Sequence, residues 1–303
     1  MASYIARRLL SAIPTLFLIV ALSFFMMRIA PGGPFDGERR LPPDIEMNMK
    51  RAYDLDKPIH VQFLKYLGGV VKGDFGPSFK NRDFTVSQLI AVGAPVSIRL
   101  GLGALLIATA IGLSIGIFAA LHHNSPPDAI AMGAAMAGIA VPTFVVAPLL
   151  ILLFAVTLHW LPAGDWGGGD WRHLILPVVT LALPQIAIIA RLARASILEI
   201  LRSISSARAA KGVSDFSVMT RHVLRVSLLP LVSYLGPAAA ALDDWIPVVE
   251  RIYGLPGIGR YFVDGAINRD YTVVMGVVIL YAALVLALNP VADLRLCACS
   301  ILV

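Results

Sequence analysis

Charge is scarce in this chain of 303 residues. Asp, Glu, Lys and Arg supply 15%, against 58% hydrophobic residues and a mean hydropathy of +0.79. A soluble globular chain carries about 25% charged residues, so a water-soluble enzyme or binding module is excluded and an integral membrane protein is indicated. Cysteine is almost missing: Cys297 and Cys299 are the only two, near the end, and offer neither a disulfide framework nor a metal set. No Gly-x-x-x-x-Gly-Lys-Ser/Thr phosphate loop occurs, so if ATP drives this protein, another subunit binds it. The net charge of +6 would suggest nucleic acid in a soluble chain. Here arginines that orient membrane spans explain it, and no nucleic-acid partner is expected.

Chemical motifs are equally thin. Gly112-Leu113-Ser114-Ile115-Gly116 matches a glycine-flanked nucleophile pattern, which needs a strand-turn-helix context. This copy lies in an apolar run, where small residues mark close helix packing instead. His122 and His123 are adjacent, not four apart as zinc ligands on one helix face would be, and are expected to be solvated. Asp74-Phe75-Gly76 lacks any accompanying kinase signature. Gly254, Gly257 and Gly259 are interrupted by Pro256 and predict a tight re-entrant turn rather than a phosphate loop. No cofactor, metal or covalent chemistry is expected.

What is abundant is membrane-length apolar sequence. A span needs about 20 mainly apolar residues, and six candidates lie near 9–29, 98–121, 131–159, 173–193, 228–250 and 272–294. The first exceeds a signal-peptide core and no small-x-small cleavage site follows it, so it reads as a retained span. With the amino terminus inside, the inner short segments hold ten basic residues and the outer short loops four: Arg172, Arg251, Arg260 and Arg269. That balance favours a cytoplasmic amino terminus.

Most of the inner charge lies in one stretch, 191–225. It carries Arg191, Arg194, Arg202, Arg208, Lys211, Arg221 and Arg225 against Glu199 and Asp215. Charges at that density do not fit hydrocarbon, so the stretch predicts a cytoplasmic docking loop. On the other side, residues 30–96 read as partly helical. Asp56 and Pro58 start a helix carrying Ile59, Phe63, Leu67 and Val70 at helical spacing, Gly73 ends it, and a shorter helix is expected near 44–53.

Ala207-Arg208-Ala209-Ala210-Lys211-Gly212, followed by Arg221-His222-Val223-Leu224-Arg225 and Leu228-Leu229-Pro230, resembles the coupling loop of ABC-importer permeases. An ordered series accompanies it: Tyr53-Asp54-Leu55-Asp56-Lys57-Pro58, Gly73-Asp74-Phe75-Gly76-Pro77-Ser78, Val141-Pro142-Thr143-Phe144, Trp160-Leu161-Pro162-Ala163-Gly164, Leu174-Ile175-Leu176-Pro177, Gly254-Leu255-Pro256-Gly257-Ile258-Gly259 and Asn268-Arg269-Asp270-Tyr271. Together these resemble the B-type permease subunit of oligopeptide importers over almost the whole length.

The resemblance implies an all-α integral membrane fold, the type I ABC importer permease with six transmembrane helices and a partly helical outer domain between spans one and two. It divides the chain into residues 1–93, the first span and outer segment, and 94–303, the permease core with its coupling loop at 194–227. It also implies a homologous C-type permease, two cytoplasmic ATPases and an extracytoplasmic peptide-binding protein as partners in a bacterial inner membrane. The substrate class extends over dipeptides, longer peptides and metal chelates. Ala207, Arg208, Ala209, Ala210, Lys211, Gly212, Arg221 and Arg225 become the expected ATPase contacts, with Gly212 letting the backbone turn.

Three blocks, 202–206, 239–247 and 290–303, depart from the family pattern. The resemblance returns abruptly at Val248-Val249-Glu250, which points to short reading-frame shifts. Asp243 and Asp244 fall in the second block. Two adjacent carboxylates in a span are costly unless they line water or meet cations, so they are candidates for the translocation path. An ion-gradient-driven transporter or channel built on the same pair is the alternative reading, and an intramembrane hydrolase using Ser114 is a third.

Overall fold

The computed structural model describes residues 2–29, 47, 54–80, 83–208 and 224–301, with side chains described at all of these except 2–9, 203–208, 224–226, 228, 240, 243 and 287–301. The chain divides into two compact units, residues 1–97 with 256–286 and residues 98–255 with 287–303. Among the described residues the elements are helices, and the one β-contact is an isolated bridge from Pro77 to Thr85.

The first unit starts with α1 (Ala2–Ile29), apolar from Leu10 onward. Its aromatic face, Phe17, Phe24 and Phe25, packs on Phe63 of α2 (Ile59–Val71) with ring centroids 5.4–6.1 Å apart. The helix expected after Pro58 is therefore present. Pro58 occupies its N-cap, and at its end the N–H groups of Lys72 and Asp74 both bond the Gly69 carbonyl before Gly73 turns at φ 76°. That left-handed angle needs glycine. The helix expected near 44–53 lies outside the described residues apart from Met47.

Helix α3 (Val86–Leu121) opens with a reciprocal capping box: the Thr85 N–H bonds Gln88 Oε1 at 2.9 Å and the Gln88 N–H bonds Thr85 Oγ1 at 3.2 Å. It begins twelve residues before the expected span, and its first three turns belong to the first unit. There Val86 and Leu89 share a core with Ile258 of α8 (Ile258–Ile267) and with Val273 and Val277 of α9 (Tyr271–Ile301). The stretch expected as a bare turn after Gly254 thus continues into a ten-residue helix.

The second unit begins within α3 at Ile98 and contains α4 (Pro126–Ala140), α5 (Thr143–Leu150), α6 (Arg172–Arg208) and α7 (Leu224–Tyr253). The expected third span is not straight. Val141 before Pro142 is extended (φ −98°, ψ 124°), as a residue preceding proline prefers, and α4 meets α5 with its π-helical continuation Ile151–Thr157 at a bend of 101°. Helix α6 packs on α4, α5 and α7. A Cβ added at Gly112 of α3 would lie 2.9 Å from the Ile186 carbonyl of α6, and one at Gly116 would lie 2.7 Å from that of Ala190. The glycines around Ser114 are packing positions, and the Ser114 hydroxyl bonds its own helix at Ala110 O.

Among the described residues Leu10–Ile29, Val86–Leu121 and Arg172–Arg202 are long and apolar enough to cross a membrane, and α4 with α5 and its continuation is so only when the bent pair is taken as one span. Helices α7 and α9 hold 30 and 31 residues, with described apolar stretches at Leu229–Ala239 and Tyr271–Leu286.

Candidate functional site

The basic stretch 191–225 begins as helix rather than loop. Helix α6 runs fifteen residues past the expected end of the fourth span at 193, so Arg194 and Arg202 lie on its own continuation and Arg191 just inside the expected end. Ala207 and Arg208 are its last two residues, and Arg225 is the second residue of α7. The side chains at these three positions lie outside the described set, as do Ala209, Ala210, Lys211, Gly212 and Arg221 altogether. Because α6 and α7 pack on each other, their ends at 208 and 224 bracket the segment 209–223 as the connection of a helical hairpin.

At about 1.5 Å per residue, the 37 residues of α6 reach about 55 Å, against about 30 Å of hydrocarbon. One end of this helix must protrude from a bilayer. Residues 174–190 carry no charge, whereas Arg191, Arg194, Glu199 and Arg202 follow them, which assigns the protrusion to the carboxyl end.

Arg194 is half-buried and paired. Its Nε lies 2.7 Å and its Nη2 2.6 Å from the two carboxylate oxygens of Asp128, a bidentate pair joining α6 to the first turn of α4. The Asp128 side chain is 6% exposed. It also accepts the N–H of Asn124, which the preceding turn holds at φ 61°. His123 completes the cluster, with Nδ1 3.2 Å from Arg194 Nη2. Both histidines are exposed, as expected; His122 bonds Phe118 O, and His123 stands at the edge of this charged group. The sequence carried half of this signal. Ser125-Pro126-Pro127-Asp128 is a helix start with an acid in its first turn, but its partner is 66 residues away.

Helix α7 carries the other candidates. It is continuous through 239–247, so the block that departs from the family pattern forms no break in the backbone. Asp244 and Trp245 on it are exposed, and the Asp243 side chain lies outside the described set. Two contacts fix α7 to α6: Tyr234 Oη donates to Gln185 Oε1 at 2.9 Å in a half-buried contact, and the buried Tyr253 Oη lies 2.9 Å from Thr180 Oγ1 and also 3.3 Å from Ala147 O of α5. Among the described residues Asp244 is not part of the Arg194 cluster.

Asp74-Phe75-Gly76 forms the turn that leads into α3, with Gly76 at φ 85° and its N–H on the Asp74 carboxylate at 2.9 Å. Two motifs from opposite ends of the chain meet beside it. The Asp270 carboxylate accepts the Ser78 hydroxyl and the N–H groups of Phe79 and Lys80, both at 3.2 Å. Cys297 and Cys299 lie in α9, with side chains outside the described set.

Residues 112–295 match the family described as binding-protein-dependent transport system inner membrane component, and residues 1–100 match the N-terminal region of such membrane components. The oligopeptide transport system permease protein OppB of Salmonella typhimurium is 51% identical over 286 residues, covering 94% of this chain and 93% of that protein. The dipeptide transport system permease protein DppB of Bacillus subtilis is 38% identical over 296 residues, covering 97% and 95%. Among solved structures, an inward-facing MetNI methionine ABC transporter chain superposes with a TM-score of 0.59 at 17% identity, over 70% of this chain and 96% of that one.

Proposed function

The chain belongs to the family of binding-protein-dependent transport system inner membrane components, and from that membership we infer that it is the membrane-spanning permease subunit of a peptide importer. The observation that carries this is the 51% identity to an oligopeptide permease along 94% of the chain. The fold supports it as well, since the likeness to an ABC transporter membrane chain reaches 96% of that chain. Dipeptides and oligopeptides are both within the substrate class of such relatives.

The reading assigns ATP hydrolysis to separate subunits, in keeping with a sequence that has no phosphate loop. Two such ATPases, a homologous second permease and an extracytoplasmic peptide-binding protein complete the assembly. Six spans with the amino terminus inside put residues 207–225 in the cytoplasm. Residues 1–93 then serve as the first span and outer segment, and 94–303 as the permease core. Ala207, Arg208, Ala209, Ala210, Lys211, Gly212, Arg221 and Arg225 contact the ATPases: arginine and lysine meet carboxylates on the soluble partner, and glycine lets the chain reverse between α6 and α7.

Closure of the ATPase pair pushes on this hairpin. Because α6 is packed along α4, α5 and α7, the push turns the second unit's helices as rigid bodies. Asp244, exposed on α7, and Asp243 beside it line the path and receive a peptide's amino terminus or basic side chains.

Replacing Gly212 with Trp is expected to spare membrane insertion and to uncouple ATP hydrolysis from uptake in the reconstituted assembly. Measured together, hydrolysis rate and peptide accumulation should part company. Normal substrate-stimulated hydrolysis with normal uptake would contradict the assignment.

A further inference from the structure

A cavity of about 350 Å³ opens in the first unit between the end of α1, one face of α2, the turn at 74–79 and the start of α9. Its volume is within the range of small-ligand sites, and the transport reading makes no use of it. Phe24, Phe75 and Met275 give it apolar walls. The Arg28 guanidinium lies 5.2 Å from the centre of the Phe24 ring, and the Tyr66 ring centre lies 5.9 Å from the same ring. A cation and a phenol thus lie against one aromatic side chain at the cavity wall.

Two polar atoms in that wall are incomplete. Tyr66 Oη and Gln62 Oε1 are buried without a hydrogen-bond partner among the described residues, although Gln62 Nε2 donates to Leu55 O and Lys57 O. Buried polar atoms in native structures are nearly always partnered, and two orphans in one cavity wall point to a ligand. Its chemistry follows from the donor and acceptor roles. Arg28 can only donate and Tyr66 can donate, so they call for an anionic oxygen, while Gln62 Oε1 can only accept and calls for an N–H. Asp74, at the rim, offers a carboxylate to the same cation. Asp54, also at the rim, is already held by Lys57 and Lys65.

The place narrows the choice further. The uncharged run of α1, residues 9–27, ends at Arg28, which therefore lies where hydrocarbon gives way to headgroups. On the same turns Met26, Ile29 and Leu64 are exposed apolar side chains. We propose that this cavity binds the headgroup of a phosphatidylethanolamine molecule. The phosphate rests against Arg28 and Tyr66, the ammonium donates to Gln62 Oε1 and Asp74, and the acyl chains run along the exposed face of α1. Phosphatidylcholine has no N–H for Gln62, and phosphatidylglycerol has no cation at all.

The test is native mass spectrometry of the full-length purified chain, delipidated and titrated with each of the three lipids. One phosphatidylethanolamine should be retained, at least about tenfold in preference to the other two. Tyr66→Phe and Arg28→Gln should each cut retention by about tenfold. Tyr66→Phe removes one oxygen and keeps the ring, so it remains informative even if Arg28→Gln fails to insert. Equal retention of the three lipids would overturn the proposal, as would undiminished binding by Tyr66→Phe. Displacement of the lipid by dialanine would assign the cavity to a peptide instead and overturn it too. Lipid retention is read without partner subunits or transport, so this outcome and that of the coupling experiment are independent.

Discussion

Among the described residues each unit buries one aspartate, and the two are held by opposite means. In the first unit Asp270, 2% exposed, is held by neutral donors: the Ser78 hydroxyl, the N–H groups of Phe79 and Lys80, the Thr272 hydroxyl at 2.9 Å and the Val273 N–H at 3.4 Å. Three of these are backbone groups that no substitution of their own side chains removes. In the second unit Asp128 leans mainly on one cation, the bidentate Arg194, with the Asn124 N–H and His123 beside it. The first arrangement spreads its dependence over a turn and a helix start some 190 residues apart. The second concentrates most of its dependence on a single side chain, which is the form of contact that one event can break.

Breaking the concentrated contact should therefore cost most. Arg194→Ala takes the bidentate partner from Asp128 and leaves it only the Asn124 N–H and the more distant His123, which should lower the unfolding midpoint of the purified chain more than any single change at Ser78, Asp270 or Asp54. Combining Arg194→Met with Asp128→Leu should recover most of that fall, because the cost is the underpaired charge and not the absent bond. If single and double variants melt alike, the contact is not the concentrated one described.

The distributed contact should yield less to a comparable change. Asp270→Asn keeps one acceptor oxygen and turns the other into a donor facing donors, an expected loss of about 1–2 kcal/mol. Ser78→Ala should cost about 1 kcal/mol. A Ser78→Ala loss as large as that of Arg194→Ala would refute the distributed account.

The smallest effect belongs to a third aspartate, outside the spans. Asp54 is held by Lys57 at 2.8 Å and by Lys65, and hydrogen bonds from these two lysines lower its pKa from 3.8 to about 2. A lowered folded-state pKa stabilises above the unfolded value and is lost as pH falls through the folded one. The contact should thus be fully present above about pH 4 and disappear near pH 2. A carboxylate titration by infrared spectroscopy should find this midpoint, and Lys65→Met should raise it toward 3.8. Solvent screening keeps the stability change small. An unmoved midpoint would sever the parallel with Asp128.

Legibility in the sequence followed the range of the interaction. The helix at 59–71 was readable because its start, spacing and stop are all local: Pro58, the Phe63 face, Gly73. The break in the third span was equally local, since Val141-Pro142 interrupts the run, yet apolar continuity concealed it. Helix α8 was hidden behind Gly254, Pro256 and Gly257, whose turn signals mask the ten residues after them. The ends of α3 and α6 were misplaced because apolar length reports the span, whereas capping and packing decide the helix. The Asp128–Arg194 pair and the Asp270 cradle were not readable, because their halves lie 66 and about 190 residues apart. Residue types alone do not say which distant donor an aspartate will meet. The family pattern marked Ser78 and Asp270 as motif members, and the structure supplies the reason in their shared hydrogen bond.

The central claim is that the basic connection between α6 and α7 is the handle through which an ATPase moves the permease. Placing a single cysteine by Lys211→Cys, with Cys297 and Cys299 replaced by Ser, tests it most directly. In the assembled transporter this cysteine should resist a membrane-impermeant thiol reagent added outside and should crosslink to an ATPase subunit at short range. Labelling from the outer side, or no crosslink in an assembly that still hydrolyses ATP, would contradict the account.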